Sequence, residues 1–180
     1  MKFNLHYAPH FGMFQNLAGP DLVDQLKFAA DQGFTAWEDN GMPGRSIADQ
    51  ERIAKAMNDL GMTMGVFVAH AEWSQPLYAR VGAAPRAKLV PIAKDAGELA
   101  KRVNAKWMTV VPGPSDRRLE WDYQTANVVD CLKAMADVFA ADDRVMVLEP
   151  LNPYRDHPGM FLTKIPQAFQ ICKAVGSPAC

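Results

Sequence analysis

The sequence turns five times from a short, mostly apolar extended run to a helical stripe, and few folds accommodate that alternation. Extended runs are expected at Lys2–Ala8, Phe34–Asp39, Met62–Ala69, Trp107–Val111 and Val145–Leu148. Helices are expected after each of them, at Asp21–Gln32, Ile47–Leu60, Pro85–Val103, Tyr123–Ala141 and Lys164–Val175. Val128, Leu132, Met135 and Phe139 recur at i, i+4, i+7 and i+11, which puts them on one face of a helix. Asp21 and Ser46 stand where N-caps belong, with Asp49 three residues after Ser46 as in a capping box. Gly33, Gly61 and Gly176 stand where helices stop.

Strands that are apolar throughout, rather than alternating, suit a parallel sheet covered by helices on both faces. Strict β-then-α order leaves two architectures, an open doubly wound sheet and a closed barrel. No strand is followed by a Gly-x-Gly-x-x-Gly or Gly-x-x-x-x-Gly-Lys loop, so the nucleotide-binding form lacks its main signature. Polar and aromatic residues recur at strand C-termini instead: His6 and Tyr7, Glu38 and Asp39, His70, Glu149 and Asn152. In a barrel those ends share one face, where the chemistry is done. The expected fold is α/β, a parallel (β/α) barrel of the TIM type. A complete eight-unit barrel takes about 250 residues. At 180 residues the chain is expected to be a single incomplete domain, truncated after about five βα units.

Composition narrows the function. Apolar residues make up 49 % and charged residues 22 %, enough for a substantial core. The net charge is -1 and no basic block occurs, so nucleic acid is not an expected partner. No apolar run approaches the roughly 20 residues of a spanning helix, so neither is a membrane. The three cysteines, Cys131, Cys172 and Cys180, show no CxxC spacing and indicate neither a disulfide framework nor a cysteine zinc site. A reduced, cytoplasmic compartment fits this usage, although an export leader removed beforehand would leave no trace.

The strand ends supply the candidate site. Glu149 closes the run Val145-Met146-Val147-Leu148 and is followed by Pro150-Leu151-Asn152. A carboxylate there can ligate a cation or move a proton; alternatively it is half of a salt bridge at the strand end. His70 ends the third run and can bond a substrate hydroxyl or ligate a metal, or can be a satisfied imidazole at the core edge. His6 and His10 flank the first run. Glu38 can pair with a basic residue or orient His70, pairing being the expected role, and Asp39 is read as a rim residue. Arg155, in the Pro- and Gly-rich loop 152–159, can grip a carboxylate or sugar oxygens, or can pair with Asp156. Neither Gly-x-Ser-x-Gly nor HExxH occurs.

The segment Val147-Leu148-Glu149-Pro150-Leu151-Asn152-Pro153-Tyr154-Arg155-Asp156-His157-Pro158-Gly159-Met160-Phe161-Leu162 resembles strand five of hydroxypyruvate isomerases, within the xylose isomerase-like barrel superfamily. Those enzymes show an apolar strand ending in Glu, an Ile/Leu-Asn pair, Arg-Asp, Pro-Gly and an aromatic-Leu. One residue is added here between Asn and Arg, at Tyr154. The resemblance implies a barrel holding one divalent cation, magnesium or manganese, and a small carbonyl or sugar substrate. It implies that Glu149 is a metal ligand and the catalytic acid/base group. It implies that His70 lies near the substrate, with Arg155 in the matching loop; His6, Glu38 and Asn152 are further candidate substrate-binding positions from their places at the strand ends. The remaining ligands of the family come from strands six to eight: an Asp, a His or Gln, and a second catalytic Glu. This chain does not contain those strands.

The implied reaction is an aldose–ketose isomerisation, in which a proton alpha to a carbonyl is removed and an enediolate is reprotonated on the neighbouring carbon. The same superfamily includes ketose 3-epimerases and inosose dehydratases, which are the second reading. Its three-zinc endonuclease branch adds a histidine after strand four, where this sequence has Val111-Pro112-Gly113, so DNA repair is set aside. A third reading is a non-catalytic barrel fragment that self-associates as a homo-oligomer through Phe3, Leu5, Val145 or Val147, which a closed barrel would bury.

Overall fold

The computed structural model describes residues 3–180. Two compact units make up the chain, one running to Val68 and including Glu98–Trp107, the other comprising Ala69–Gly97 and Met108–Cys180.

In the first unit the order is α1 (Gln15–Ala18), α2 (Leu22–Asp31), β1 (Ala36–Trp37), a 3-10 turn at Met42–Gly44, α3 (Ile47–Asp59), β2 (Thr63–Met64) and the start of β3 (Val66–Ala71). The Asp21 carboxylate accepts from the Val23 and Asp24 amides, and Ser46 Oγ accepts from the Asp49 amide, so both expected caps are made. β1 and β2 pair in parallel, Ala36 with Thr63 and Trp37 with Met64. Beyond them the Asp39 amide donates to Val66 O, which carries the pairing into β3. Trp37 is fully buried, with its ring 4.8 Å from that of Phe11 and 6.3 Å from that of Phe14, and Leu26, Ile53 and Met57 are buried in the same unit.

The first expected strand does not form. Lys2 lies outside the described residues, and from Phe3 to Pro9 there is no strand. Pairing starts only at His10, which bridges Glu38 in parallel, next to a bond from the Glu38 amide to Pro9 O. Local ring contacts take over the segment: Phe3 lies 4.8 Å from Phe34 and 5.6 Å from Tyr7. The second strand is shorter than expected, and the third is split at Gly65. There the chain lies so close to β1 that a Cβ would sit 3.3 Å from Trp37 O.

The second unit contains the end of β3, most of α4 (Ala83–Arg102) and of β4 (Trp107–Val111), α5 (Trp121–Ala140), β5 (Val145–Leu148) and α6 (Ile165–Val175). The sheet order is β3-β4-β5. The Glu72 amide donates to Val111 O and the Glu149 amide to Val110 O, so the C-terminal ends of three consecutive strands lie side by side, as parallel strands require. No reversal of strand order occurs among the described residues, which is the barrel arrangement rather than the doubly wound one. The α5 stripe is buried as expected, with Val128, Leu132, Met135 and Phe139 at most 1 % exposed. Gly176, at φ 67°, ends α6 in the left-handed conformation that glycine adopts without strain. No helix among the described residues is long and apolar enough to cross a membrane.

One device recurs in both units. A glutamine in the first turn of a helix reaches back and holds backbone that precedes the helix. Gln25 accepts from the Gly12 amide. Gln50 donates to Met42 O and Arg45 O. Gln124 donates to Asp116 O and Leu119 O while accepting from the Asp116 amide. Gln167 donates to Phe161 O and accepts from the Thr163 amide. Each satisfies loop backbone groups that would otherwise need water.

Candidate active site

In the second unit His70 and Glu149 stand at the C-terminal end of the three-stranded sheet, on its two outer strands. Glu149 follows β5 and is exposed. The alternation of β5 explains this: Met146 and Leu148 are 1 % and 8 % exposed and face the helices, whereas Val147, on the Glu149 face, is 41 % exposed. Glu149 therefore presents its carboxylate to solvent at the strand mouth.

His70 is half-buried near the end of β3, with Nδ1 2.8 Å from Tyr78 Oη. Tyr78 is fully buried, and its hydroxyl also lies 3.4 Å from Met135 Sδ. The hydroxyl can donate to Met135 Sδ while its oxygen accepts from His70 Nδ1–H, or donate to His70 Nδ1, the imidazole tautomer deciding which. In the tautomer where Nδ1 accepts from Tyr78, the other ring nitrogen, Nε2, is a donor. Burial lowers the His70 pKa, and the nearby Glu72 carboxylate only partly opposes the shift. At neutral pH His70 is thus a neutral imidazole. Burial raises the Tyr78 pKa well above that of an ordinary phenol, which keeps its hydroxyl protonated.

Glu72 was not singled out in the sequence. Its Oε1 accepts from the Ser74 amide at 2.8 Å, the Ser74 hydroxyl at 3.0 Å and the Gln75 amide at 3.0 Å. Burial alone would raise its pKa, but these bonds together lower it. The loop it organises carries Trp73, whose ring stacks on His157 at 5.3 Å between centroids, joining the loop after β3 to the loop after β5. A Glu followed by Trp-Ser directly after a strand was the available signal.

Asn152 organises its own loop. Its Oδ1 accepts from the Tyr154 amide at 3.0 Å and its Nδ2 donates to Asp156 at 3.1 Å. The Arg155 side chain is 91 % exposed and 3.9 Å from Asp156, the geometry of the loop pair that was the alternative to ligand binding.

In the first unit His6 is exposed, and Glu38 is half-buried with its backbone bonded to the His10 segment. The residue expected at the rim, Asp39, is instead buried at 4 % exposure and takes the ion pair expected of Glu38. Arg45 Nε lies 2.5 Å and Nη2 3.2 Å from its two carboxylate oxygens. Successive residues of an extended chain face opposite ways, so one position decides which carboxylate turns inward.

Among the described residues no group of three or more His, Cys, Asp and Glu could hold a metal ion. Glu149 is one oxygen donor and needs partners that this donor set does not supply, so a resident cation does not fit the residues present.

A family model described as the xylose isomerase-like TIM barrel matches residues 26–180. The chain belongs to that family. No curated protein matches the sequence. Among solved structures, an AP endonuclease of family 2 from Brucella melitensis superposes with a TM-score of 0.76 at 18 % identity, covering 97 % of this chain and 66 % of that one. A D-psicose 3-epimerase structure determined in the presence of D-fructose gives 0.71 at 16 % identity, covering 97 % and 61 %. The 3-keto-D-glucoside 4-epimerase from E. coli gives 0.71 at 16 %, covering 96 % and 65 %. At such identities the likeness shows the fold alone. The chain spans 61–66 % of the length of these three structures.

Proposed function

We propose that this family member belongs to an isomerase or epimerase of small hydroxy-carbonyl compounds, most like hydroxypyruvate isomerase, organised as a single barrel domain. The observation that carries the reading is the exposed Glu149 carboxylate at the same C-terminal end of the sheet as His70, a neutral imidazole backed by a buried tyrosine. Solved epimerases of the same fold support the reaction class.

In this reading Glu149 takes the proton alpha to a substrate carbonyl and returns it to the neighbouring carbon, while the proton of the adjacent hydroxyl passes to the former carbonyl oxygen. His70 Nε2–H hydrogen-bonds a substrate oxygen whose negative charge grows as the enediolate forms. Tyr78 fixes the ring and its tautomer. His6, Glu38, Asn152 and Arg155 are proposed as further substrate contacts. Asn152 is the weakest of them, because both ends of its amide already serve its loop. A divalent cation is proposed for the complete protein, with Glu149 as one ligand; no step above depends on it.

Solvent exchange tests the proposal. Protein expressed from its full reading frame is incubated with hydroxypyruvate, and separately with a ketose, in D2O, and carbon-bound deuterium is followed by NMR. Exchange into hydroxypyruvate that Glu149→Gln abolishes supports the isomerase; exchange into the ketose alone points to the epimerase. Absence of exchange into either overturns both. A specific observation favours the self-associating fragment as a second reading for the 180-residue chain: Ile165 and Phe169, one turn apart on α6, are 78 % and 64 % exposed. Light scattering that shows a monodisperse monomer rules that reading out.

A further inference from the structure

The first unit contains a cleft of about 230 Å³ lined by His10, Phe11, Asp39, Asn40, Gly41 and Arg45. Its construction is unusual for a surface feature. Arg45 is held on three sides. Asp39 takes its Nε and Nη2 and itself accepts from the Gly41 amide at 3.1 Å. The Phe11 ring covers one guanidinium face, with its centroid 4.7 Å from Cζ. Gln50 fixes the Arg45 backbone carbonyl from α3, and Arg102 steadies Gln50 through a 2.7 Å bond to its Oε1. The Asp39 side chain is 6 % exposed and that of Arg45 23 %. Burying such a pair adds little stability, because desolvation offsets most of the attraction. Its gain is a guanidinium held in one orientation.

The atoms left over define a ligand. Asp39 engages the side of the guanidinium, Nε with Nη2, which leaves the end-on edge, Nη1 with the second hydrogen of Nη2. Two parallel N–H donors on that edge match the two coplanar oxygens of a carboxylate. His10 Nδ1 lies 3.0 Å from Phe11 O. A carbonyl can only accept, so Nδ1 carries the proton there and Nε2 offers a lone pair. That lone pair takes the proton of a hydroxyl. Asp39 cancels the formal charge of Arg45, so selection rests on the direction of the donors rather than on bulk attraction.

We infer that this cleft binds the carboxylate end of a short hydroxy acid, with Arg45 gripping the carboxylate and His10 accepting from the hydroxyl. The inference rests on the proposed function only for the expectation of a small oxygenated ligand, and it concerns the first unit by itself.

Three probes separate the elements in titrations followed by saturation-transfer NMR: D-glycerate, propionate and glycerol. Glycerate should bind most tightly, propionate more weakly and glycerol least. Arg45→Lys should weaken glycerate about tenfold and leave glycerol unchanged, because an ammonium cannot present the two-pronged edge. His10→Ala should bring glycerate down to the level of propionate and leave propionate unchanged. His10 is exposed, so that variant keeps the test alive should Arg45→Lys loosen the loop. Equal binding of glycerate and glycerol, no binding of glycerate, or indifference to His10→Ala overturns the inference. Binding in the expected order without deuterium exchange upholds the cleft and refutes the isomerase; exchange without such binding does the reverse.

Discussion

Gly113 lies so close to Glu72 that a Cβ on the glycine would sit 2.8 Å from the Glu72 Cβ, Cγ and carbonyl oxygen alike. Its φ of +87° is also one that L side chains rarely adopt. The loop after β4 thus lies directly against the end of β3. It is bonded on its other side to the loop before α6, where the Phe161 amide donates to Gly113 O and the Ser115 amide to Gly159 O. The loops that frame His70 and Glu149 are therefore locked through one glycine.

Gly113→Ala is expected to destabilise the protein by about 2–5 kcal/mol. The left-handed backbone costs roughly 1–2, and overpacking against backbone that cannot step aside adds about 1–3. The measurement is the urea midpoint at unchanged m-value. Gly12→Ala is the control: its φ is +96° but nothing lies within 4 Å of a Cβ there, so only the backbone cost should appear. Equal midpoint shifts for the two variants would show that the approach to Glu72 is slack.

Gln50→Leu is expected to cost about 3 kcal/mol. It strips the Met42 and Arg45 carbonyls of a donor, and each unsatisfied buried group costs roughly 1–3 kcal/mol. Lys55→Ala, which removes an exposed i,i+4 pair to Asp59, should change stability by no more than about 0.5 kcal/mol. Chemical denaturation of the two variants checks the ranking. Gln50→Leu should also weaken glycerate binding, because the orientation of Arg45 depends on that loop.

The helices were legible because their signals are local. The Asp21 and Ser46 caps, the Gly176 stop and the Val128–Phe139 stripe each act within a few residues. The strands were less so. Lys2–Ala8 has a strand-like composition, yet Phe3 finds better partners in Phe34 and Tyr7 than in a ladder. The glutamine ties were invisible, since Gln25, Gln50, Gln124 and Gln167 look like ordinary polar helix residues until the loops they hold are in place. The same holds for Asp39: its burial depends on Arg45, six residues later, turning back across a 3-10 turn.

Asp116 gives a test at acid pH. Two-pronged bonding from Arg118 lowers its pKa to about 2 from 3.8. A depressed carboxylate contributes stability that is complete above its unfolded pKa and is lost as pH falls through the folded one. The loss attributable to Asp116 should therefore fall between about pH 4 and pH 2. Asp116→Asn should be less stable than wild type at pH 7 and should approach it at pH 2, as followed by thermal melts across that range.

The opposite type of group, a base with a lowered pKa, gives the last prediction. His70 has an unfolded reference of 6.5 and a lower folded value, set first by burial and only partly countered by Glu72. Between the two values the unfolded chain binds more protons than the native one, so stability rises with pH there. Acidification from above pH 6.5 should destabilise the native state until the folded pKa is passed, after which the His70 contribution levels off. His70→Gln removes the titration and should flatten that part of the profile. Tyr78→Phe acts differently: it deletes the hydroxyl at Nδ1 and leaves the ring in place. The pH dependence of stability should persist in Tyr78→Phe, while exchange catalysed by the full reading frame falls because the tautomer is no longer fixed. The checks are stability against pH for both variants and the NMR-monitored pKa of His70. A His70 that titrates at or above 6.5 in the native protein would mean that its ring is not held in the half-buried position beside Tyr78, and its proposed role as a neutral donor would fall with that position.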